Sequence, residues 1–536
     1  MPSAMRVISA YVVGLILGVF LIAFGIFALV FWFPRDFSFF GMGNVNARQV
    51  WTRYGCAEVR EILDHRDIII NSSRTNIEIR ATNPGQADEG TILLFENARG
   101  ISFNNLHRTH ISWVQELTSD GRVFYSITVH EPTGAVQRDA LLLINIISDG
   151  NDPQPFNFIF NTGTANVTFA GDSPADFLLV NSVTINSGAL GVFSFPPPAT
   201  AVTPFEMEIG ELIVNASPAT VQAPTRITGG VTINGNVGTF NLGEVGTSGS
   251  TLQAISVPSS TNVVVNANLV HGDINFNSTT GALRPGTVHG NVRTRSATGN
   301  VTIARVYGSV DSATTLSGIV QITEIMGNLD FRSTSLGGVT VSSVHGNTNI
   351  NSEGARATVN LGSGITGIMP GMRGNVSIYN CYGTTNVTFM NGLTTEPSLN
   401  FRGFDGNILA RNIVGPTDII IRSGGRAQID AGFRAISSGI NRLEYQGSTN
   451  PATTHGNIRV VLQTPQGTPN VFQPFSFFVS GSRGALDRTG WETEHGAGNT
   501  NPGVNIPVDG PSWHVHGGGP ALLQVFTTNR VFLDRG

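Results

Sequence analysis

One short phrase recurs through the middle of this chain at a nearly constant interval. It consists of an apolar residue, a medium-sized residue, glycine, a small polar residue and a second apolar residue, as in Val-His-Gly-Asn-Val, Val-Tyr-Gly-Ser-Val and Ile-Met-Gly-Asn-Leu. The glycines of five successive copies are Gly272, Gly290, Gly308, Gly327 and Gly346, so that their numbers differ by 18, 18, 19 and 19. A fixed period of this length predicts a repeat architecture in which each interval forms one coil.

Within each interval, apolar residues lie two positions apart, which is the alternation of a β-strand. The pairs are Ile274 with Phe276, Val301 with Ile303, Val320 with Ile322, and Val339 with Val341. One coil cannot bury its apolar face alone, whereas coils stacked about 4.8 Å apart form a continuous apolar column. We therefore predict an all-β, single-stranded β-solenoid with 18–19-residue coils. The nineteenth residue is expected in an outer bend, and glycine is expected in the bends because it adopts positive φ without steric cost.

The composition agrees with an all-β chain that has a core. It contains 64 Gly and only 12% charged residues, yet 40% of its residues are hydrophobic, which is too apolar for general disorder. All 31 basic residues of the Lys+Arg total are arginine. The lack of lysine excludes a Schiff-base lysine, a phosphate-loop lysine and a Lys-Asn isopeptide crosslink. A net charge of -5 with dispersed arginines argues against a nucleic-acid partner.

The N-terminus predicts a membrane anchor. Residues 7–33 run for 27 positions without a charge, which exceeds the roughly 20 residues that a helix needs to span a bilayer. The run ends in Phe-Trp-Phe-Pro without a small-residue cleavage site, so we expect a retained transmembrane helix rather than a removed signal peptide. Residues 1–6 then form a cytoplasmic tail. The predicted localisation is the cell membrane, with one crossing and the bulk of the chain outside.

The rest of the chain divides by the rhythm of its apolar runs. We predict a juxtamembrane linker at residues 34–55 and a small N-terminal β-domain at residues 56–150, which holds strand-like runs such as ALLLINI. The β-solenoid is expected over residues 151–455, where the Gly/Asn rhythm is found. Residues 456–536 leave the period and are expected to form a C-terminal β cap that protects the edge of the last coil.

The order of these features resembles a known family. An N-terminal anchor, a segment with INSSRTNIEIRA and YSITVHEP, and repeats such as VHGNV, SATGNVTI, RVYGSV and GDINF are similar to the bacterial adhesin-like family of β-solenoid surface proteins. The likeness covers roughly residues 60–480. It implies a role in cell-surface structure and adhesion, and it supplies no catalytic residues. The bactofilin cytoskeletal β-helices, which are shorter and polymerise inside the cell, are the nearest competing resemblance.

Equivalent positions in successive coils define one candidate surface. A possible recognition column points outward from the coils, and its members are Asn275, Arg293, Asp311, Asp330 and Asn349. Within it, Asp311 and Asp330 would lie side by side, and such a pair can raise one pKa or bind a cation. We expect instead a solvated surface column with Arg293 beside Asp311, and in the same way Arg305 and Glu324 form an adjacent opposite-charge pair elsewhere.

A second set of equivalent positions precedes the repeated glycines. Its members are His271, His289, Tyr307, Met326 and His345. Because tyrosine and methionine occur there as freely as histidine, the position is expected to accept any medium-sized side chain rather than to bind a metal. We predict no cofactor, no metal site and no catalytic residue.

These observations predict a membrane-anchored, non-catalytic surface protein whose solenoid acts as a stalk or display surface. The expected partners are the membrane, glycans, other surface proteins or further copies of the chain, but not nucleic acid. Two alternatives stay open. One is a polysaccharide-active lyase or hydrolase on a β-helix, which needs carboxylates and arginines that converge on one face. The other is a bactofilin-like polymer-forming scaffold.

Overall fold

The computed structural model describes the central part of the chain with short gaps. The described residues are Val19, 52–53, 66–82, 90–98, 109–117, 123–131, 138–147, 155–171, 177–186, 191–196, 205–249, 253–314, 316–334, 337–352, 358–362, 370–404, 406–422, 427–435, 437–446, 458–462, 475–480, 486–487, 512–516, 521–526 and 531–535. They contain no helix that is long and apolar enough to cross a membrane. Apart from Val19, the predicted membrane helix at residues 7–33 lies outside them, as do the predicted tail and most of the linker.

The described residues form strands that fall in two compact units, residues 1–226 and 227–536. The strands up to the boundary are β1 (Thr52–Arg53), β2 (Asp67–Ser72), β3 (Asn76–Thr82), β4 (Ile92–Ala98), β5 (His110–Leu117), β6 (Val123–His130), β7 (Arg138–Ile147), β8 (Phe156–Thr162), β9 (Val167–Gly171), β10 (Phe177–Ile185), β11 (Val192–Ser194), β12 (Glu206–Val214), β13 (Thr220–Ala223) and β14 (Arg226–Ile227).

The strands of the second unit continue the numbering. They are β15 (Val231–Ile233), β16 (Val237–Val245), β17 (Gln253–Ser260), β18 (Asn262–Val270), β19 (Asp273–Ser278), β20 (Ala282–Val288), β21 (Val292–Ser296), β22 (Val301–Val306), β23 (Val310–Thr314), β24 (Ile319–Ile325), β25 (Leu329–Ser333), β26 (Gly338–Val344), β27 (Thr348–Ser352), β28 (Val359–Leu361), β29 (Gly371–Met372), β30 (Val376–Cys381), β31 (Thr385–Thr388), β32 (Leu399–Gly403), β33 (Ile408–Ile413), β34 (Thr417–Ile421), β35 (Ile429–Phe433), β36 (Ile440–Tyr445), β37 (Ile458–Leu462), β38 (Phe475–Ser480), β39 (Leu486–Asp487), β40 (Ser512–His516), β41 (Ala521–Phe526) and β42 (Val531–Arg535).

Each regular coil contributes one strand to each of two parallel stacks, so a strand pairs with the second strand before it and the second strand after it. In the second unit, β21 pairs in parallel with β19 and β23, while β22 pairs with β20 and β24. The inward side chains alternate with outward ones, and Val292, Val310 and Leu329 stack in register with 1–2% exposure. The prediction of an all-β solenoid with 18–19-residue coils is therefore confirmed.

The nineteenth residue lies in a bend, as predicted. Val292 pairs with Val310, a step of 18 in the numbering, whereas Val301 on the other stack pairs with Val320, a step of 19. The additional residue therefore falls between the end of β23 at Thr314 and the start of the paired part of β24. It changes the length of the bend and leaves both core columns in register.

The recurring glycines are required by the neighbouring coil. Of the five glycines in the repeated phrase, Gly272 alone has positive φ, at 118°. A Cβ atom on Gly290 would lie 2.3 Å from the carbonyl carbon of Gly272, and one on Gly308 would lie 2.5 Å from the carbonyl oxygen of Gly290. Successive backbones thus touch at this bend, and no side chain fits between them. The expectation that positive φ explains these glycines is corrected for the other four.

The first unit is also built from two parallel stacks, and its core contains aromatic residues. β8 follows β2 in one stack and β9 follows β3 in the other. Phe158 and Phe160 of β8 and Phe193 of β11 are fully buried, and the rings of Phe160 and Phe193 meet edge-on at 5.9 Å. Because β2 and β3 share sheets with β8 and β9, strand pairing joins segments that the sequence-based boundary at residue 150 separates.

The first coil in the sequence is not the outermost coil of its unit. β2 lies between β6 and β8, and β3 lies between β7 and β9. Beyond that added coil, β4 runs antiparallel to β7 and β5 runs antiparallel to β6. After β2 and β3, the chain therefore forms β6 and β7 on one side of this first coil and then continues with β8 and β9 on its other side.

The second unit ends in a similar way. β41 lies between β36 and β38, while β42 lies between β37 and β39. The strand β40 runs antiparallel to β38. The last coil in the sequence is therefore inserted between an earlier coil and a strand pair that precedes it in the chain. Residues 456–536, predicted as a cap, supply both this inserted coil and the antiparallel strand.

Candidate functional surface

A ladder of side-chain oxygens runs along one bend of the second unit. It starts from Asp273, whose Oδ1 accepts a hydrogen bond from the backbone N–H of Asn291 at 2.7 Å. Each following side chain then accepts from the backbone of the next coil at 2.8–3.1 Å: Asn291 from Ser309, Ser309 from Asn328, Asn328 from Asn347, Asn347 from Asn375, and Asn375 from Ser398. These residues hold the small polar position of the repeated phrase, so that position fastens one coil to the next.

The ladder stops where the next coil lacks a donor. Leu399 pairs with Thr417, which places Pro416 opposite Ser398. Proline has no backbone N–H, so Ser398 cannot pass the pattern on. The first unit has the same kind of bond from Asn166 to Asn76 and from Val192 to Asn166. It also has a row in which side-chain amides bond to one another at 2.7–3.0 Å through Asn71, Asn161, Asn186 and Asn215.

The predicted recognition column is one continuous row on the outward face of the stack that contains β19, β21, β23, β25 and β27. Register pairs each of its members with the next, in the order Asn275, Arg293, Asp311, Asp330 and Asn349. The row extends beyond the prediction through Ser377, Asn400, Asp418 and Arg442. The face carrying this row is called the outward face below.

Ion pairs hold both carboxylates of the predicted pair. Asp311 Oδ2 lies 2.7 Å from Arg295 Nη2 and 3.7 Å from Arg293 Nε. Asp330 Oδ1 lies 3.5 Å from Arg332 Nε, and this neighbouring carboxylate raises the pKa of the Arg332 guanidinium. Each aspartate therefore faces cations from its own surroundings, so the pair does not present two adjacent, uncompensated carboxylates.

The Arg295–Asp311 contact is a recurring device. Arg295 Nη1 also bonds to the backbone oxygens of Thr294 and Asp311, so the guanidinium holds a side chain and two backbone groups together. Arg402 makes the same three kinds of bond with Phe401 and Asp418. In both cases the arginine reaches diagonally to an aspartate of the next coil, and we call this arrangement the diagonal clamp.

A diagonal clamp also occurs on the other stack. Arg411 Nη1 and Nη2 bond to the two carboxylate oxygens of Asp430 at 2.8 and 3.0 Å, and Nη1 also reaches the carbonyl oxygens of Ala410 and Asp430. The planar guanidinium fork matches a carboxylate in this way, which an ammonium does not. The clamps give one structural use for arginine in a chain without lysine.

A concavity of about 490 Å³ lies between the bend ladder and the predicted column, and we call it the ladder groove. The ladder side contributes Asp273, Asn291, Ser309 and Asn328, and the column side contributes Asn275, Arg293, Asp311 and Asp330. Polar side chains repeat from coil to coil on both sides of the groove, and the apolar residues Ile274, Val292 and Val310 also line it. Such a groove offers hydrogen-bond donors and acceptors at regular intervals along the solenoid axis.

The histidine positions before the glycines also fall in one column. His271 stacks on His289 with ring centres 4.9 Å apart, and His289 stacks on Tyr307 at 4.6 Å. His271 Nε2 lies 3.1 Å from Glu244 Oε1, and His345 Nε2 lies 3.2 Å from Glu324 Oε1. No group of three or more histidine, cysteine, aspartate or glutamate side chains suited to a metal occurs among the residues that the structure describes.

The predicted pair of Arg305 and Glu324 is present on the other stack, with Nε 2.7 Å from Oε2. The hydrogen bond to Glu324, followed by the contact with Tyr307, raises the pKa of Arg305. Sequence reasoning missed the two Glu-His contacts and the diagonal clamps. In each of these contacts, the arginine or histidine lies two residues after the residue that pairs in register with its acidic partner. Such contacts can be predicted from the sequence once the coil register is known.

Three comparisons bear on the origin of this surface. No family model matches the chain, and neither the curated proteins nor the solved structures give a significant match. The candidate surface is therefore defined by geometry alone: an outward face of ordered polar side chains, ion-paired in register along the coils.

Proposed function

We propose that this protein is a membrane-anchored cell-surface protein whose β-solenoid is a non-catalytic spacer and display surface, adhesin-like in role. The observation that carries the proposal is the outward face of the second unit, where polar side chains repeat in register. A surface of this kind suits an extended polar partner better than a small, enclosed substrate. The proposed partners are glycans, other surface proteins or further copies of the chain.

The dimensions of the stack support a spacer role. Thirteen described strands of the second unit pair in parallel in the order β15, β17, β19, β21, β23, β25, β27, β30, β32, β34, β36, β41 and β38. At about 4.8 Å per step, this one stack extends for roughly 58 Å. Its backbones are bonded on both sides, and the bend ladder adds a further set of bonds along the axis.

The charges of the outward face favour binding over catalysis. A glycosidase or lyase needs a carboxylate with a raised pKa, or a base beside an unpaired arginine. Asp311 is instead held by Arg295 and Arg293, and Asp330 is held by Arg332. The same arginines are engaged by these carboxylates, so the face presents fixed hydrogen-bonding groups rather than a charge imbalance.

The ends of the stacks disfavour the polymer-forming alternative. A solenoid that polymerises by stacking needs open parallel edges, because the next coil must continue the same hydrogen-bond pattern. The antiparallel strands β4 and β5 in the first unit and β40 in the second unit interrupt that pattern. Lateral association through the outward face is still compatible with the proposal.

Cell fractionation with the full chain tests the anchor and its orientation. The intact protein is expected in the membrane fraction, and deletion of residues 1–34 is expected to release it. Added protease should cut the chain beyond residue 56 in intact cells, because the proposal places that part outside. Full protection of this region in intact cells, with cleavage after lysis, would rule out a surface role.

Adhesion of the cells provides the second readout. Cells that express the intact chain should bind to glycan-coated surfaces or to one another more strongly than cells that express the same chain without residues 1–34. Equal adhesion by the two kinds of cell would contradict an adhesin-like role while leaving the membrane anchor in place.

A further inference from the structure

The outward face carries a second concavity, of about 690 Å³, which begins at β25, the strand where the ladder groove ends. Its lining includes Arg332, Thr334, Asn349, Asn351, Tyr379 and Asn380. Arg332 is the one charged side chain among its lining residues, and the others are amides, hydroxyls and one aromatic ring. We call this concavity the Tyr379 groove.

The groove lies where the regular strand pairing is interrupted. Asn380 has a φ of 56°, and the register between β30 and β32 shifts between Tyr379 and Cys381. A non-glycine residue in the left-handed region is disfavoured, and a bulge changes the direction of the neighbouring side chains. Asn380 Nδ2 donates to Asn351 Oδ1 at 3.0 Å, which fixes the bulge against the preceding coil. The irregularity is thus held in place by its own side chain.

An aromatic ring is exposed beside this bulge. Tyr379 is 37% exposed on the outward face, where register places Asn351 before it and Arg402 after it. One bend further along the chain, Tyr382 and Phe404 stack with ring centres 5.1 Å apart and are also more than a third exposed. Exposed aromatic rings beside polar side chains are typical of binding surfaces.

The polar groups of the groove are planar and held in position. The guanidinium of Arg332 donates to both carboxylate oxygens of Asp330 at 3.5 Å, and its side chain remains 60% exposed. The hydrogen bond to Asp330 raises the pKa of the Arg332 guanidinium. Asn349 and Asn351 contribute amides from the next coil. Planar amide and guanidinium groups form paired hydrogen bonds with neighbouring hydroxyls.

We propose that the Tyr379 groove binds a glycan chain. A pyranose ring has an apolar C–H face, which stacks on the Tyr379 ring, and an equatorial rim of hydroxyls. Those hydroxyls meet the Arg332 guanidinium and the amides of Asn349 and Asn351. This inference rests on the proposed surface role and names the ligand class for it.

A nucleic acid is disfavoured as the occupant, although bases also stack on tyrosine. Binding of a phosphate backbone needs uncompensated cations. Arg402 lies beside Tyr379 in the next coil and is paired with Asp418, and Arg332 lies two coils before Tyr379 and is paired with Asp330. Sugar hydroxyls have no charge and do not require those pairs to open.

Binding by the purified full-length chain, kept in mild detergent, tests the proposal. The probes are immobilised oligosaccharides in two arms, a neutral glucan series and a uronic-acid series, because both present the same C–H face and hydroxyls. The intact chain is expected to bind in at least one arm. Tyr379→Ala should weaken that binding by about tenfold or more, the effect of losing a stacked ring, while Tyr379→Phe should retain most of it.

Tyr307→Ala is the matched control, because Tyr307 is also an exposed tyrosine, at 44%, and follows β22 of the other stack. Circular dichroism and thermal unfolding of each variant confirm that it is folded. Loss of binding in both arms by Arg332→Gln would support contact with the hydroxyls, and loss in the uronic-acid arm alone would assign the arginine to the carboxylate.

Several results would overturn the proposal. They are no binding in either arm, binding that Tyr379→Ala leaves unchanged, an equal loss in Tyr307→Ala, or preferred binding of single-stranded DNA. The two proposals fail separately. If the chain is exposed on cells but binds no sugar, the proposal for the Tyr379 groove is refuted and the proposed surface role stands. If the chain binds sugar but is shielded from added protease, the proposed surface role is refuted.

Discussion

Asn291 and Ser309 hold the same bend position in successive coils, and Asn291 Oδ1 accepts a hydrogen bond from the backbone N–H of Ser309 at 2.9 Å. The side chain of one coil thereby satisfies the backbone of the next. This relationship explains why the residue after the repeated glycine is Asp, Asn or Ser: each carries an oxygen within reach of that N–H, and each is short enough to stay in the bend.

Removal of one ladder oxygen should have a small, measurable cost. In Asn328→Ala, the N–H of Asn347 loses its acceptor at 2.8 Å. Since Asn328 is exposed, water replaces part of the bond, and the free energy of unfolding should fall by about 1 kcal/mol. Asn328→Asp keeps the acceptor and serves as the control. Urea unfolding of the full chain compares the two, and an equal loss in both would refute the role of the oxygen.

Substitution of a glycine of the repeated phrase by alanine should destabilise the protein more than substitution of a glycine outside that phrase. Gly308→Ala places Cβ 2.5 Å from the carbonyl oxygen of Gly290, so the two coils must separate locally. Overpacking of this kind costs about 1–3 kcal/mol. Gly230→Ala is the control, because its nearest atom would be 3.1 Å away and its φ is not positive. Thermal unfolding should show a clearly larger loss for Gly308→Ala, and the reverse order would refute the coil contact.

Two adjacent residues test the register of the solenoid. Val292 is 1% exposed and stacks between Ile274 and Val310, whereas the Arg293 side chain is 64% exposed. Val292→Asp buries a carboxylate among apolar neighbours, which costs several kcal/mol. Arg293→Asp changes a solvated position and should stay within about 1 kcal/mol. Equal losses on thermal unfolding, or a greater loss for Arg293→Asp, would mean that the register is wrong.

The sequence was sufficient for the features that repeat. The coil length, the inward position of Val292 and the outward row from Asn275 to Asn349 all follow from strand alternation and the glycine spacing, because those patterns recur in every regular coil. The register shifts beside Asn380 and Asn412 do not follow the glycine spacing, so no period signals them or the exposure of Tyr379. The insertion of β2 and β3 behind β6 and β7 depends on pairing between distant segments, which local patterns do not specify. The membrane helix predicted at residues 7–33 stays a prediction.

Neutralising the carboxylate of a diagonal clamp should change the free energy of unfolding little. The stability of the protein should also not depend on a bound metal. Asp311→Asn removes the charge that Arg295 contacts at 2.7 Å, but the Asp311 side chain is 40% exposed. An ion pair so exposed contributes about 0–1 kcal/mol. Asp418→Asn, in the second clamp, provides a matched comparison. Thermal unfolding should be unaffected by a chelator in the intact chain and in both variants. A chelator-dependent loss of stability, or a loss of several kcal/mol in Asp311→Asn, would contradict this assignment.

The inserted coils are expected to protect the strands at the ends of the sequence from amide hydrogen exchange. The first coil in the sequence of a simple solenoid is an edge, and edge strands open readily. Here, β2 is bonded on both sides: Ile68 pairs with Tyr125 and Phe158, and Ile70 pairs with Ile127 and Phe160. Ile68 and Ile70 are also fully buried. Opening β2 therefore requires the separation of two sheet contacts rather than one.

Exchange measured by mass spectrometry on the full chain compares β2 with β5, which the described pairing bonds to β6 alone. Peptides of residues 67–72 should exchange at least tenfold more slowly than those of residues 110–117, because a tenfold ratio needs only about 1.4 kcal/mol of additional opening free energy. In the second unit, residues 521–526 of β41 should exchange more slowly than residues 512–516 of β40, because β41 lies between β36 and β38. Exchange of β2 as fast as that of β5 would show that the first coil is not enclosed, and the order of coils at that end would have to be revised.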